Sequence, residues 1–385
     1  MNDAKKLVAK VFGEIADALE TGVFGNRAKV GITLLGSEHG VVEILRGAEA
    51  AAKAYPDLEV VLIGPAVDSA LRHYPAETEK AQHELMEHLL TSGAIDCAVT
   101  MHYNFPIGVS TVGKVVTPGR GREMFLATTT GTSATDRVEA MVKNAIYGIA
   151  CAKAAGIAAP TVGILNVDAA RTVERSLQRL SANGYAISFS QSVRADGGSV
   201  MRGNDLLVGA PDVMVTDTLT GNVLMKVFSA YTSGGDYESL GYGYGPGVGE
   251  GYDKIIHILS RASGAPVVSG AIRYAADMAK GRLLSIVESE FVAAHAAGLR
   301  DLFKKEDQPS AAVAEEEVVC PPAKVATEEI AGIDILDLDT AAKAVWKAGI
   351  FASTGMGCTG PVILVNTDDL AKAQEVLVKA GYISA

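Results

Sequence analysis

The sequence has few cysteines and no cysteine pairs. Its four cysteines, Cys97, Cys151, Cys320 and Cys358, are far apart and form no C-x-x-C motif in 385 residues. Zinc ribbons and disulfide frameworks need closely spaced or numerous cysteines, so the sequence favours neither, and we expect no metal site. Isolated cysteines in such a chain are mostly buried and inert. A reactive cysteine must therefore be argued from its surroundings.

Long apolar runs and dense basic runs are missing as well. Charges or glycines interrupt every hydrophobic stretch before it reaches the ~20 residues that a transmembrane helix requires. A formal net charge of −11 disfavours binding to nucleic acid, and no Lys- or Arg-rich run suggests an anionic membrane surface. We expect a cytoplasmic protein without nucleic-acid or membrane partners. Anionic substrates would need local cationic sites.

An amphipathic pattern occupies residues 1–28. Its apolar residues recur at helical spacing between charged ones: Leu7, Val8, Val11, Phe12, Ile15 and Leu19. A signal peptide needs an unbroken apolar region, which this segment lacks. The pattern predicts a docking helix.

Short apolar runs alternate with helix-length segments between residues 29 and 303. The predicted strands cover 30–35, 59–63, 97–100, 124–127, 161–165 and 212–215, and the clearest predicted helices cover 41–54 and 136–155. This alternation predicts an α/β body with a largely parallel sheet covered by helices. In such sheets ligands bind at the carboxyl ends of the strands.

A glycine-rich stretch lies between Gly234 and Gly251 in this body. So many glycines leave the backbone unrestricted, which predicts a long mobile loop without helix or strand. The glycine spacing does not match the G-x-G-x-x-G frame and no predicted strand precedes it. A nicotinamide site is therefore not expected there.

Two further units follow the body. Residues 304–330 are polar and aperiodic and contain Pro309, Pro321 and Pro322, which indicates an exposed linker. Residues 331–385 predict a small C-terminal α/β module with strands on either side of a glycine-rich loop. About 55 residues bury little core alone, so the module is expected to dock on the body or on a partner.

Cys358 is the most probable chemical centre of the sequence. It lies in that predicted loop, where Gly355, Gly357 and Gly360 let backbone N–H groups approach the sulfur. Amides at Gly357 and Thr359 would lower the thiol pKa and stabilise the oxyanion of an attacked thioester. The alternative is a tight structural turn that holds a small residue.

A base for this thiol must come from outside the module. No histidine follows His295 in the sequence, and a nucleophilic cysteine normally has a nearby base or cation. His39 and His102 follow predicted strands and are candidates. The alternative for each is a hydrogen-bonded structural histidine, which is the commoner role of a single histidine.

A phosphate site is predicted where a strand passes into a helix near residue 217. Thr220, Gly221 and Asn222 fall at the helix N-terminus, and Lys226 lies one turn further on. Ser269 is a second candidate, because it precedes another helical pattern. Ordinary helix capping explains the same spacing equally well.

Residues 29 to about 302 resemble the PlsX-type phosphate acyltransferases. The resemblance is carried by the segments 35–40 (LGSEHG), 160–166 (PTVGILN) and 212–217 (DVMVTD), the last running into 220–223 (TGNV). It implies an α/β fold similar to phosphotransacetylases and isocitrate dehydrogenases. It also implies transfer of an acyl group from a carrier thioester to inorganic phosphate.

The whole chain more closely resembles the alpha subunits of component C of glycine, sarcosine and betaine reductase complexes. That resemblance implies that an acetyl group, derived from a carboxymethyl selenoether on selenoprotein A, is held as a cysteine thioester. Phosphate then releases it as acetyl phosphate. Cys358 matches the position of that thiol. The implied partners are a beta subunit of component C and selenoprotein A in an oligomer, with phosphate as substrate and no cofactor.

The residues leave two other functions open. The first is a stand-alone phosphate acyltransferase serving acyl carrier protein, for which Cys358 is unnecessary. The second is a non-catalytic scaffold subunit that holds a beta subunit and selenoprotein A.

Overall fold

The computed structural model describes residues 27–195, 197–303, 318–331, 333, 337–357 and 360–383, together with residues 8, 11–13, 15, 16 and 19. Most of the segment 1–28 therefore lies outside the described residues; those of its residues that are described up to 19 are helical and exposed. No helix within the described part of the chain is long and apolar enough to cross a bilayer.

A twelve-stranded sheet forms the body, in the order β3-β2-β1-β4-β12-β11-β5-β6-β10-β7-β8, with β9 also paired to β7. Its strands are β1 Ala28–Thr33, β2 Leu58–Gly64, β3 Arg72–Pro75, β4 Cys97–Thr100, β5 Val109–Val116, β6 Glu123–Thr132, β7 Thr161–Leu165, β8 Ser188–Phe189, β9 Val200–Met201, β10 Val213–Val215, β11 Gly245–Gly249 and β12 Ile256–Ile258. Toward both edges of the sheet, neighbouring strands pair in parallel. At the centre, β11 and β5 are antiparallel to each other, and β5 is also antiparallel to β6. The predicted fold class is confirmed.

Helices cover both faces of this sheet, which explains why β4 and β10 are buried along their whole lengths. They are α1 Val41–Ala54, α2 Glu79–Thr91, α3 Arg137–Ala154, α4 Ala170–Ala182, α5 Gly203–Val208, α6 Thr218–Ala230, α7 Ala265–Lys280, α8 Leu283–Ala296 and α9 Leu299–Leu302. Helix α1 packs closely on α7, because a Cβ at Gly47 would lie 2.5 Å from the Cβ of Val268.

An ion-pair cluster joins the start of β2 to helix α7. Arg273 donates to both carboxylate oxygens of Asp57, at 3.0 and 2.8 Å, and Lys280 pairs with the same carboxylate. Burial raises the pKa of Asp57, but the hydrogen bonds from Lys280 and Arg273 outweigh it and lower the pKa to about 2. The carboxylate is therefore ionised near neutral pH.

The prediction of a mobile loop over residues 234–251 is wrong for its C-terminal part. Residues Gly245–Gly249 of that stretch form β11, a fully buried strand of the sheet. It lies between β5 and β12. A Cβ at Gly245 would be 1.8 Å from the carbonyl oxygen of Val112, and one at Gly247 would be 2.3 Å from the ring of Phe105. The glycines thus permit close strand packing rather than mobility.

The C-terminal module is a three-stranded antiparallel sheet in the order β13-β15-β14. Its elements are β13 Glu328–Ile330, α10 Leu338–Lys347, β14 Ala352–Gly357, β15 Gly360–Val365 and α11 Leu370–Lys379. The sheet therefore begins inside the stretch 304–330 that was predicted as linker, since Glu328 to Ile330 pair with β15 although their sequence carries no strand periodicity. Residues 304–317 lie outside the described part of the chain.

The module docks on the body of its own chain. Pro106 forms an antiparallel bridge with Gly355, and Ile107 packs against the module's core of buried helix and strand residues. Glu329 of β13 accepts a hydrogen bond from Asn104 Nδ2 at 2.7 Å. Residues directly after β4 thus form the module's seat.

Candidate functional site

A cavity of about 310 Å³ lies between the body and the module, and we call it the seat cavity. It opens at the carboxyl ends of β1, β4 and β12, where a largely parallel sheet places its ligands. Its lining residues are Glu38, Met101, His102, Tyr103, Thr130, Asn222, Lys226, Tyr244, Ile258, Leu259, Ser260, Arg261, Met356 and Gly357. The body supplies most of this wall, and the end of β14 supplies the rest.

Two cations line the seat cavity in a chain of net charge −11. Lys226 Nζ donates to Glu238 Oε1 at 2.7 Å and also contacts Ser260 Oγ, while 46% of its side chain stays exposed. Arg261 is exposed at the rim and follows β12. An anion in the cavity could therefore bind the positioned ammonium of Lys226 and the guanidinium of Arg261.

Helix α6 presents two of the predicted phosphate residues to this cavity. Asn222 and Lys226 are one turn apart on the same helix face, and both line the cavity. Asn222 Nδ2 donates to the carbonyl oxygen of Thr129 at 3.0 Å, which fixes its amide against β6. The structure therefore brings these two predicted residues together.

Thr220 and Gly221 do not line the cavity. Asp217 caps α6: its carboxylate accepts from Thr220 N at 3.0 Å and from Thr220 Oγ1 at 2.7 Å. A carboxylate thus occupies the place proposed for phosphate, so we do not assign Thr220 to an anion. Gly221 has a packing role, because a Cβ there would lie 1.8 Å from the carbonyl oxygen of Thr128.

Ser269 and His39 also lie away from the seat cavity. Ser269 is in the second turn of α7, which begins at Ala265, so the expectation that it opens a helix is wrong. The sequence pattern missed this start because Ala265 and Pro266 precede the apolar run. His39 is exposed, with its ring edge-on to Tyr237 at 6.2 Å between centroids.

His102 lines the cavity and contacts the module. Its Nε2 lies 3.3 Å from Glu329 Oε1, the same oxygen that accepts from Asn104. The hydrogen bond from His102 lowers the pKa of Glu329 below its ordinary value, against the opposing effect of burial, and the Asn104 bond adds to the lowering. The site thus contains an imidazole and an ionised carboxylate in contact.

Cys358 and Thr359 lie outside the described residues. The residues on either side are strand residues, since Gly357 ends β14 and pairs with Gly360 at the start of β15. Gly355 and Gly357 therefore belong to β14 rather than to a loop, which corrects the sequence prediction; antiparallel pairing with β15 extends the strand through both. Gly357 lines the seat cavity directly before Cys358 in the chain.

Two of the remaining cysteines are buried in the body. Cys97 lies in β4 and Cys151 in α3, both without exposed surface. Burial raises the pKa of Cys151 to about 12 and that of Cys97 higher still. Neither thiol forms thiolate near neutral pH, whereas Cys320 is exposed.

Sequence reasoning missed Glu329, Ser260 and Arg261. Glu329 stood in the presumed linker, and its strand is recognisable only from the pairing with β15. Ser260 and Arg261 follow β12, a three-residue strand too short to give a periodic signal. The one available sign was that the polar residues Ser260 and Arg261 follow a mostly apolar run, Ile255 to Leu259.

A larger cavity of about 460 Å³ lies elsewhere, beside α8 and the residues after β11. His295 Nε2 is 2.8 Å from Glu250 Oε1 in its wall. None of the predicted site residues that the structure describes lines it. Across the described ranges, no group of three His, Cys, Asp or Glu side chains is placed to hold a metal ion.

Known relatives identify the family to which this chain belongs. Residues 28–364 match the family described as "Fatty acid synthesis protein". The chain is 58% identical to the glycine/sarcosine/betaine reductase complex component C subunit alpha of Peptoclostridium acidaminophilum, over 100% of both chains. It is 25% identical to a phosphate acyltransferase of Anoxybacillus flavithermus, over 51% of this chain and 70% of that protein. A solved branched-chain phosphotransacylase from Enterococcus faecalis V583 aligns with a TM-score of 0.48 and 15% identity, over 66% of this chain and 99% of that one. The chain therefore belongs to the fatty acid synthesis protein family and, within it, to the group of component C alpha subunits.

Proposed function

We propose that this chain is the acetyl-transferring subunit of a glycine/sarcosine/betaine reductase complex. In this proposal Cys358 carries an acetyl thioester, and inorganic phosphate cleaves the thioester to acetyl phosphate. The names of the relatives support it: one is a component C alpha subunit, and another is a phosphate acyltransferase. The observation that carries it is the seat cavity, which joins Lys226 and Arg261 of the body to Gly357, the residue before Cys358.

The proposed reaction balances without a cofactor. An oxygen of hydrogen phosphate attacks the thioester carbonyl, a C–O bond forms, and the C–S bond breaks. The proton of the attacking hydroxyl passes to the sulfur, so that acetyl phosphate and the free thiol result. The protein must therefore hold phosphate, stabilise the tetrahedral oxyanion and move one proton.

The phosphate role belongs to Lys226, Asn222 and Arg261 in this proposal. Glu238 and Ser260 hold the Lys226 ammonium, yet 46% of its side chain is exposed, and it lines the cavity. A positioned ammonium binds a phosphate oxygen with a charge-assisted hydrogen bond, and a guanidinium adds a second contact. The amides of Gly357 and Thr359 are the proposed oxyanion donors.

The size of the cavity supports a small acyl group. A volume of about 310 Å³ corresponds to roughly ten water molecules, which suits an acetyl group together with a phosphate. The apolar part of the wall is formed by Met101, Tyr103, Tyr244, Ile258, Leu259 and Met356. A beta subunit of component C and selenoprotein A are the proposed partners that deliver the acetyl group.

Acetyl phosphate tests this proposal in the reverse direction. The purified chain is incubated with acetyl phosphate, and intact mass and peptide mapping locate any acetyl group. We expect one acetyl group on the Cys358 peptide, removed by added phosphate or arsenate. Cys358→Ala should show none, whereas Cys320→Ser, the exposed thiol, should behave like the wild type.

Three outcomes would contradict the proposal in different ways. Wild-type protein without any acetyl group at Cys358 would favour a scaffold role. Acyl phosphate formation by Cys358→Ala at the wild-type rate would favour a stand-alone phosphate acyltransferase. An acetyl group on Cys358 that phosphate fails to remove would place phosphate outside the reaction.

A further inference from the structure

Helix α6 carries a row of exposed apolar side chains. Leu219, Val223 and Val227 recur at four-residue spacing, and Tyr231, which caps the helix with helical backbone angles, continues the series. Their exposed fractions are 76%, 54%, 54% and 46%, in chain order. Side chains four residues apart lie on one face of a helix, so the four form a continuous ridge. We call this ridge the α6 stripe.

The α6 stripe differs from the rest of the surface of the body. Single exposed apolar residues are normal on a protein and need no explanation. Among the body helices that the structure describes, α1, α5 and α8 each expose one large apolar side chain, and α6 alone exposes a series. The single residues are Val42, Leu207 and Val292. A contiguous apolar ridge of this kind marks an interaction surface.

We propose that the α6 stripe is an interface between two copies of this chain, which pair their α6 helices antiparallel about a twofold axis. The inference does not depend on the proposed function, because it uses the exposed face of α6 and no reacting group. Three observations favour a second copy over another occupant. They are the symmetry of the stripe, the charges beside it and its area.

The stripe is complementary to a second copy of itself. Its four members are evenly spaced, so its centre lies between Val223 and Val227. In a second copy that lies antiparallel across this centre, Val227 meets Val223 of the first copy, and Tyr231 meets Leu219. Every pairing joins apolar groups, and the twofold axis makes each contact twice, as an isologous interface requires. Rows with four-residue spacing are also those that most often interlock when helices pack.

The charges beside the stripe are already paired within the chain. Arg137 Nη2 lies 3.2 Å from Asp217 Oδ2, directly before the helix, and Lys226 Nζ lies 2.7 Å from Glu238 Oε1. Lys226 is the one charged residue of α6. A partner of strong opposite charge would therefore gain little at this face. Two identical copies of a neutral surface meet without like-charge repulsion.

The exposed area suits the apolar centre of a dimer interface. From the exposed fractions, the four side chains present roughly 400 Å² of apolar surface, which is in the range of a functional patch. A standard interface buries about 800 Å² on each partner, and homodimer interfaces are about 65% apolar. The stripe thus supplies most of the apolar part for each copy, and the polar residues around it form the rim.

The proposed interface lies beside the seat cavity. Asn222 and Lys226 directly precede Val223 and Val227, so they lie about 100° around the helix from the stripe. Both line the cavity. Pairing of two copies would therefore hold the helix that presents these two residues.

Sedimentation equilibrium of the purified full chain tests the proposal. We expect a dimer with a Kd of about 1 µM or lower. Val227→Glu places a carboxylate on both sides of the twofold axis, against apolar groups, so the Kd should rise about 100-fold or more. A wild-type chain that stays monomeric at about 100 µM would overturn the proposal and leave the stripe to the N-terminal segment or to a different protein.

Val292→Glu is the matched control. Val292 is the tenth residue of α8, as Val227 is of α6, and its exposed fraction is 66%. It belongs to no stripe, so this variant should dimerise like the wild type. An equal loss of the dimer in both variants would overturn the proposal. So would a Val227→Glu variant that dimerises like the wild type.

A cross-link decides the case if Val227→Glu fails to fold. Val223 lies next to the proposed axis, so its two copies should be within about 12 Å of each other. Val223→Cys, in a Cys320→Ser background, should therefore form a covalent dimer with a short bismaleimide, joined at position 223. Val292→Cys in the same background should form no link at position 292, and peptide mapping identifies the joined peptides. A dimeric Val223→Cys variant without a link at position 223 would place the interface elsewhere and overturn the proposal.

Discussion

Replacing Lys226 with methionine is expected to weaken phosphate binding and to destabilise the fold by separate routes. Its Nζ donates to Glu238 Oε1 at 2.7 Å, and only 1% of the Glu238 side chain is exposed. The substitution leaves this carboxylate with Ser263 Oγ, at 3.0 Å, as its remaining side-chain donor. Removing one partner of a fully buried pair costs about 3–5 kcal/mol. Because 46% of the Lys226 side chain is exposed, we expect about 2–3 kcal/mol.

A second substitution separates the two effects. Glu238→Gln in the Lys226→Met background removes the unpaired buried charge, so the free energy of unfolding should return to within about 1 kcal/mol of the wild type. Phosphate binding should remain weak. A hydrogen bond from a charged donor contributes about 1.5–3 kcal/mol, which corresponds to a rise in the KM for phosphate of about 10- to 150-fold.

Urea unfolding and phosphate-dependent deacetylation of Cys358 measure the two quantities. Lys226→Arg, which keeps the charge, should retain most of the phosphate affinity. If the double variant recovers the wild-type KM together with its stability, Lys226 serves the fold and not phosphate. If Lys226→Met unfolds at the wild-type urea concentration, the buried-pair reasoning is refuted.

Three other substitutions test single contacts. Gly357→Ala should slow deacetylation at least tenfold, because its Cβ would lie 2.6 Å from Glu329 Oε2; a wild-type rate in the same assay would contradict this contact. Gly245→Ala should destabilise the body by about 3 kcal/mol or more in urea unfolding, because its Cβ would lie 1.8 Å from the Val112 carbonyl oxygen and its φ is +96°. Asp57→Asn should cost about 1 kcal/mol at pH 7, a modest value because the side chain is 35% exposed. The pKa of Asp57 is lowered to about 2 in the fold, so this cost is present above the unfolded pKa of ~3.9 and disappears as the pH falls toward 2; a cost independent of pH would contradict it.

The periodic elements of the body were predictable because their signal is local. Helix α1 spans Val41–Ala54 and strand β7 spans Thr161–Leu165, the ranges that hydrophobic spacing predicts. Each element buries residues whose spacing along the chain matches its own geometry. The alternation of such elements also determined the α/β class, because helices must cover both faces of a largely parallel sheet.

The candidate site was predictable only in part. The sequence placed Asn222 and Lys226 one turn apart on a helix, and it identified His102 and Gly357 as candidates; all four line the seat cavity. Cys358 stays a prediction, since its placement lies outside the described residues. Thr220 was assigned to phosphate because capping and anion binding use the same residue types, and only the contact with the Asp217 carboxylate distinguishes them.

By itself, then, the sequence determined the fold class and the strongly periodic helices and strands, since these depend on spacing within short segments, and it proposed the candidate thiol. Tertiary structure alone decided that β11 is a buried strand, because its glycines are explained by atoms of β5 and not by their own neighbours. It also decided that Glu329 meets His102 across 227 residues and lies against Gly357. Contacts of that kind depend on how distant segments pack, which no local pattern records.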